Sequence, residues 1–245
     1  MPSPPTVEAP NIVLVAGPTG SGKTAFAIRL ARQCNGEIVG ADSMQIYRQM
    51  DIGTAKPTPA EQAAVPHHMI DIVDPDQPFD AADYAAMAAG VIHDIAARGH
   101  TPMVVGGTGF YIKALIHGLF EPGRSDPALR RRLNREAESL GRAALHRRLR
   151  RVDRASADRI HPNDTYRIVR ALEVYASTGA SLTSVQQRHR FAKRRFNTLE
   201  LGLAWPRGVL YERINQRVDQ MIDQGFVQEV ARLRAAGYGR DLKSM

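Results

Sequence analysis

Residues 11–34 read "NIVLVAGPTGSGKTAFAIRLARQC", and how this stretch folds decides the rest. The apolar run "NIVLVAG" (11–17) has the character of a buried strand, and "KTAFAIRLARQC" (23–34) that of an amphipathic helix. Between them lies G-x-x-x-x-G-K-T, from Gly17 to Thr24. Gly17, Gly20 and Gly22 let the backbone turn sharply and aim its N–H groups inward, with Pro18, Thr19 and Ser21 completing the loop. Lys23 supplies a cation to bound phosphate oxygens, the Thr24 hydroxyl is placed to ligate Mg²⁺, and the helix adds its N-terminal dipole. Strand, loop and helix occur in the required order. The pattern requires a ligand with a diphosphate or longer and leaves the molecule open.

Further along, "GEIVGAD" (36–42) and "TPMVVGG" (101–107) are short apolar strands, and "HHMIDIVDP" holds a shorter third. "FDAADYAAMAAGVIHDIAARG" (79–99) is a helix with Asp80 as N-cap and Gly99 at its end, and "TGFYIKALIHGL" (108–119) is another. Apolar strands alternating with helices predict an α/β fold, a P-loop NTPase-like parallel sheet with helices on both faces. After "GLFEPGRSDP" only Arg- and Ala-rich helical signals follow, until "TLELGLAWP" (198–206) restores strand character. The expected division is therefore a tail at 1–10, a first core part at 11–119, an all-helical insertion at 120–196, and a return to the core at 197–245.

The chain has 245 residues, 33 Lys+Arg and 25 Asp+Glu, for a net charge of +8. That charge is concentrated: residues 124–195 hold 19 of the cations and 7 of the anions, so the remainder, 14 against 18, is mildly acidic. A basic block on an acidic frame points to a polyanion partner, nucleic acid first. No apolar run is long enough to span a bilayer, and the N-terminus lacks the pattern of a signal peptide, so a cytoplasmic monomer without membrane association is expected. The single cysteine, Cys34, excludes an internal disulfide framework and a multi-cysteine zinc site; it reads as a partly buried residue late in the first helix.

An NTPase sheet commonly carries an acidic residue at the end of a second apolar strand, where it holds the metal's water shell. Here "PMVVGG" ends in glycines, which weakens a kinase reading. Asp42 stands instead at the end of the strand 36–42, on the sheet edge where open α/β folds bind ligands, though Asp-Ser alone would suffice as a turn cap. The adjacent His67 and His68 would point to opposite faces of a strand and so do not make a metal pair. Trp205, Phe110 and Tyr111 read as packing residues.

The strings "GPTGSGKT", "ADSMQIYRQMDIGTAKP", "PHHMID", "GGTGFY" and "HPNDTYRIVRALEVYASTG" together resemble the tRNA dimethylallyltransferase family. The likeness runs from Asn11 to the end of the chain. It implies transfer of the dimethylallyl group of dimethylallyl diphosphate to N6 of the adenosine just 3′ of a tRNA anticodon, with the loop holding the leaving diphosphate and Mg²⁺ at Thr24. Asp42 would be the general base, and Lys23, Thr24, Thr108 and Arg217 would complete the catalytic set. Asp42, Ser43, Met44, Gln45 and Thr108 would line the pocket for the flipped-out base, where Gln45 can pair with an adenine edge. Arg130 and the run Tyr166, Arg167, Ile168, Val169 and Arg170 match positions that touch tRNA. Family chains generally continue some tens of residues past "RLRAAGYGRDLKSM", through helices that touch the anticodon arm.

Overall fold

The computed structural model describes residues 9–119, 126–189, 191–240, 242 and 244. Most of the tail expected at 1–10 lies outside the described residues. The chain divides into two compact units, 1–118 with 193–245 and 119–192.

In the first unit, β1 (Asn11–Ala16), β2 (Gly36–Ala41), β3 (His67–His68), β4 (Thr101–Gly106) and β5 (Asn197–Gly202) form one all-parallel sheet in the order β3-β2-β4-β1-β5. The central strands are apolar on both sides because both faces are covered. Helix α1 (Lys23–Gln33) lays Ala27 and Ala31 against Val15, Ile38, Met103 and Val105. Ile12, Leu14, Val39 and Val104, of the other parity, are buried on the opposite face, where α3 (Ala81–Ala97) and α4 (Gly109–His117) contact β4. A six-residue helix, α2 (Pro59–Ala64), precedes β3. Helix α3 starts at Asp80, whose carboxylate accepts from the N–H groups of Ala82 and Asp83 while Asp83 reaches back to Asp80, a capping box. Its small face, Ala81, Ala85, Ala88 and Ala89, allows close approach to the sheet. After β5 come α10 (Arg207–Asp223) and α11 (Phe226–Ala235).

The register lines up the strand ends. Ala41 pairs with Gly106, Gly106 with Ala16, and Ala16 with Gly202. The next residue on each strand, Asp42, Gly107, Gly17 and Leu203, therefore lies along one rim. Gly106 is required there: a Cβ would sit 2.1 Å from the Ala41 carbonyl oxygen.

The second unit is helical: α5 (Pro127–Leu140), α6 (Arg142–Val152), α7 (Arg154–Arg159), α8 (Thr165–Thr178) and α9 (Leu182–His189). Leu133, Leu145, Leu149, Ile168 and Leu172 are in its core. Asp126 caps α5 and Asp164 caps α8. Buried Asp153 accepts from the backbone and hydroxyl of both Ser156 and Thr183, joining α7 to α9. Burial alone would raise its pKa, but those bonds hold it below the ordinary value.

Two expectations are corrected. Cys34 is exposed at the C-cap of α1 rather than partly buried. Phe110 is 59% exposed and packs little, whereas Tyr111, stacked on Tyr84 with ring centroids 4.4 Å apart, is a core residue as expected. The short third strand falls inside "HHMIDIVDP" as expected, and it ends at His68, before the positive φ of Met69. No helix among the described residues is long and apolar enough to cross a membrane.

Candidate active site

The phosphate loop fills the rim between β1 and α1. Gly20 and Gly22 adopt φ of +80° and +86°, the left-handed region, so the intervening N–H groups can converge. Four of the loop's carbonyls are occupied. Pro18 O accepts from Lys23 Nζ at 2.8 Å and from Ser21 N at 3.2 Å, and Gly22 O accepts from Phe26 N. Gly20 O accepts from Arg213 Nε at 2.7 Å and Ser21 O from Trp205 Nε1 at 3.0 Å. Gly22 is the N-cap of α1, and the first N–H groups of a helix lack intrahelical partners, so they face the rim as donors. The Ser21 hydroxyl is buried in the loop without a hydrogen-bond partner among the described residues.

Asp42, Lys23 and Arg217 meet electrostatically across this rim. Burial depresses the Lys23 pKa, with Asp42 opposing and Arg217 adding to the depression. Burial likewise lowers Arg217, again with Asp42 opposing. Yet no ion pair at contact distance joins Asp42 to either cation among the described residues, so room remains between them. Gly107 lies close by: a Cβ on it would be 3.4 Å from Gly17 O and 3.9 Å from Lys23 Nζ.

The Asp42 carboxylate is fixed on one side only. Its Oδ1 accepts from Met44 N at 2.9 Å and Gln45 N at 3.4 Å, capping the turn that follows β2. Oδ2 has no hydrogen-bond partner among the described residues. The turn cap and the candidate general base are thus the same group. Thr108 braces the turn: its Oγ1 accepts from Ser43 N at 3.0 Å and donates to Ser43 Oγ at 3.3 Å. It occupies the N-cap position of α4 without capping it by its side chain.

The segment after Asp42 is largely self-supporting. Gln45 Nε2 donates to Thr54 O at 3.1 Å and Ala55 O at 3.0 Å, which corrects its expected role against an adenine edge: the amide donor is already used. Buried Lys56 donates to Tyr47 O, Asp51 and Asp71. Glu229 of α11, 2% exposed, accepts from the backbone N–H groups of Asp51, Ile52 and Gly53. Sequence reading missed Lys56, Glu229, Trp205 and Arg213. Trp205, expected to pack, is 45% exposed and bound to the loop by its indole N–H.

Within the helical unit, the run 166–170 divides. Ile168 and Val169 are buried among Leu133, Leu149 and Leu172, so these two hold the helix in place and are withdrawn as RNA contacts. Tyr166 and Arg167 are exposed. Arg130 makes a two-bond pair with buried Glu173 at 2.9 and 2.8 Å, and Arg170 lies 3.6 Å from the same carboxylate. Arg131, Arg132, Arg135, Arg142, Arg147 and Arg151 are exposed, a surface suited to a polyanion.

Several known proteins are similar to this chain. A family profile described as IPP transferase matches residues 45–245, and one described as isopentenyl transferase matches residues 10–76. A tRNA dimethylallyltransferase of Syntrophobacter fumaroxidans is 58% identical, covering 96% of this chain and 68% of that one. That of Desulfosudis oleivorans is 55% identical over 96% of this chain and 75% of its own. Among solved structures, a tRNA isopentenylpyrophosphate transferase from Bacillus halodurans is 43% identical, with a TM-score of 0.65 over 97% of this chain and 73% of that one. A eukaryotic dimethylallyltransferase acting on tRNA is 31% identical, with a TM-score of 0.82 over 96% of this chain and 58% of its own.

Proposed function

The chain belongs to the IPP transferase family, and from that premise we propose that it transfers the dimethylallyl group of dimethylallyl diphosphate to N6 of the adenosine immediately 3′ of the anticodon in tRNA. The observation that carries the reading is the half-free Asp42 carboxylate sharing a rim, and an electrostatic field, with Lys23 and Arg217.

An adenine N6 amine is a weak nucleophile because its lone pair is delocalised into the ring. As the new N6–C1 bond forms and the allylic C1–O bond breaks, the amine loses a proton and the diphosphate leaves with the bonding electrons. Asp42 Oδ2 would take that proton, with the carboxylate held by the bonds at Oδ1. Lys23, Arg217 and the N–H groups of Gly20, Gly22 and Thr24 would oppose the charge growing on the leaving group, the Ser21 N–H being held by Pro18 O. The loop residues Gly17, Pro18 and Thr19 complete its cradle.

The residues present fit Mg²⁺: the half-buried Thr24 hydroxyl is a hard oxygen donor with no protein hydrogen bond among the described residues, at the mouth of the loop. Diphosphate oxygens and water would supply the remaining ligands, as Mg²⁺ prefers. When bound, the ion would neutralise charge on the leaving diphosphate. Ser43, Met44 and Thr108 would line the base pocket, and the arginines of the helical unit would take phosphates of the anticodon arm.

The test is transfer of label from dimethylallyl diphosphate to unmodified tRNA in the presence of Mg²⁺. Asp42→Asn, which keeps an Oδ1 acceptor for Met44 N and Gln45 N, should lower turnover by about 10²-fold or more, as for a lost general base, with tRNA affinity largely kept. Equal loss of both would make Asp42 structural, and ATP turnover without use of the allylic donor would favour a kinase instead.

A further inference from the structure

We infer that Trp205 and Arg213 act as a clamp that holds the phosphate loop in its anion-receptive shape and couples it to Arg217, so that Trp205 emission follows filling of the loop. This rests on the reading of the loop as a diphosphate site.

A loop whose N–H groups converge on an anion must turn its carbonyls outward, and outward carbonyls need partners. Two of them are satisfied by side chains from far along the chain: Gly20 O by Arg213 Nε at 2.7 Å and Ser21 O by Trp205 Nε1 at 3.0 Å. The two side chains also order each other, the Arg213 guanidinium carbon lying 4.9 Å from the Trp205 ring centroid. The loop glycine itself meets the same helix, since a Cβ on Gly20 would lie 3.2 Å from Ile214 Cγ1 and 3.5 Å from Leu210 Cδ1. Arg213 and Arg217 are four residues apart on α10 and so share a face. One residue thereby shapes the cradle while the next on that face interacts with Asp42 across the rim.

The arrangement serves positioning more than stability. Both side chains are exposed, α10 has no fully buried residue, and exposed polar contacts add little to folding. What they constrain is the peptide orientation at residues 20 and 21, hence where the neighbouring N–H groups point. Both residues act on loop backbone carbonyls rather than through a role at the proposed reacting atoms. They are positioning residues.

Trp205 is the single tryptophan of the chain, so intrinsic emission reads this contact without labels. Inorganic pyrophosphate with Mg²⁺ is titrated into the full chain, by fluorescence and by calorimetry. The wild type should show a saturable change in emission with the same midpoint as the heat. Arg213→Ala should weaken pyrophosphate by about tenfold, the equivalent of one lost hydrogen bond, and Arg213→Lys should recover part of that. Trp205→Phe, which keeps a ring but no N–H donor, should weaken it about threefold to tenfold by calorimetry. All three should melt within about 3 °C of wild type. In the transfer reaction the KM for the allylic donor should rise more than kcat falls.

If wild type binds pyrophosphate, and the variants match its affinity or the emission stays constant on filling, the clamp is refuted and the diphosphate reading stands. If wild type binds no pyrophosphate, both fall together.

Discussion

Glu229 allows a quantitative test of how the signature segment is held. Its carboxylate accepts from Asp51 N at 2.9 Å, Ile52 N at 2.8 Å and Gly53 N at 3.0 Å, in a site 2% exposed. A hydrogen bond to a charged partner nets about 1.5–3 kcal/mol. The three share one anion, and water can enter the volume that Glu229→Ala vacates, so the total falls short of their sum; about 3–5 kcal/mol is expected. At about 2–4 °C per kcal/mol for a unit of this size, the melting temperature should fall by roughly 6–20 °C. Glu229→Gln separates charge from shape: its one acceptor oxygen can serve two of the three donors, but its amide faces the third, and about 2–3 kcal/mol should be lost. Hydrogen exchange gives the local readout, with the amides of residues 51–53 losing protection before those of β1 or β4. A melting temperature of Glu229→Ala within about 2 °C of wild type, or unaltered exchange at 51–53, would refute the claim that α11 fastens this segment.

Gly106→Ala should prevent folding, because its methyl group would meet Ala41 backbone atoms at 2.1–2.8 Å, whereas Gly90→Ala, exposed in α3 with nothing within 4 Å, should gain about 0.5–1 kcal/mol by thermal melting. The hydrogen-bonded Arg98 guanidinium pulls Glu37 down to about pKa 2 against the opposing effect of burial, with His68 assisting. That carboxylate's contribution is complete above the ordinary glutamate value near 4.5 and is lost as the pH falls toward 2. Glu37→Gln should therefore cost about 1–2 kcal/mol at neutral pH, and denaturant melts should show the gap from wild type closing between pH 4.5 and 2. Arg167→Ala should weaken tRNA binding and reduce its salt slope by about 0.9 if it contacts one phosphate; an unchanged slope would move Arg167 off the interface.

Much of the core was legible because its signals are local. A parallel strand buried on both faces must be apolar throughout, so "NIVLV" and "MVV" announce themselves, and a phosphate loop needs glycines and a lysine at fixed spacing. The short β3 is legible within "HHMIDIVDP", but its two-residue extent is not, because that is set by register against Ile38 and Val39. Ile168 and Val169 were assigned to RNA by a matching string, although with Leu172 they form the apolar side of a helix of period 3.6, and that pattern would have placed them inside. Gln45 shows a different limit. An amide at the right position can read a base or tie down a loop, and only the location of Thr54 O and Ala55 O distinguishes the two.

The supporting residues of the candidate site were illegible for a reason that also orders the chemistry. Trp205 and Arg213 act on backbone atoms 184 and 193 residues away, and Glu229 on atoms 176–178 residues away. No window of sequence holds both partners of such a bond. The residues of the "ADSMQIYRQMDIGTAKP" string therefore divide in two. Asp42 leaves one carboxylate oxygen free of hydrogen bonds among the described residues, the one the proposed mechanism would use, while Gln45, Asp51 and Lys56 are consumed in holding the turn that carries it. Substitutions in the second group should act through the first, lowering the rate by misplacing Oδ2 while leaving pyrophosphate affinity, which depends on the separate loop after β1, near wild type. Gln45→Ala is the cleanest case: a variant that bound pyrophosphate normally and transferred at the wild-type rate would show that the turn holds Asp42 without it.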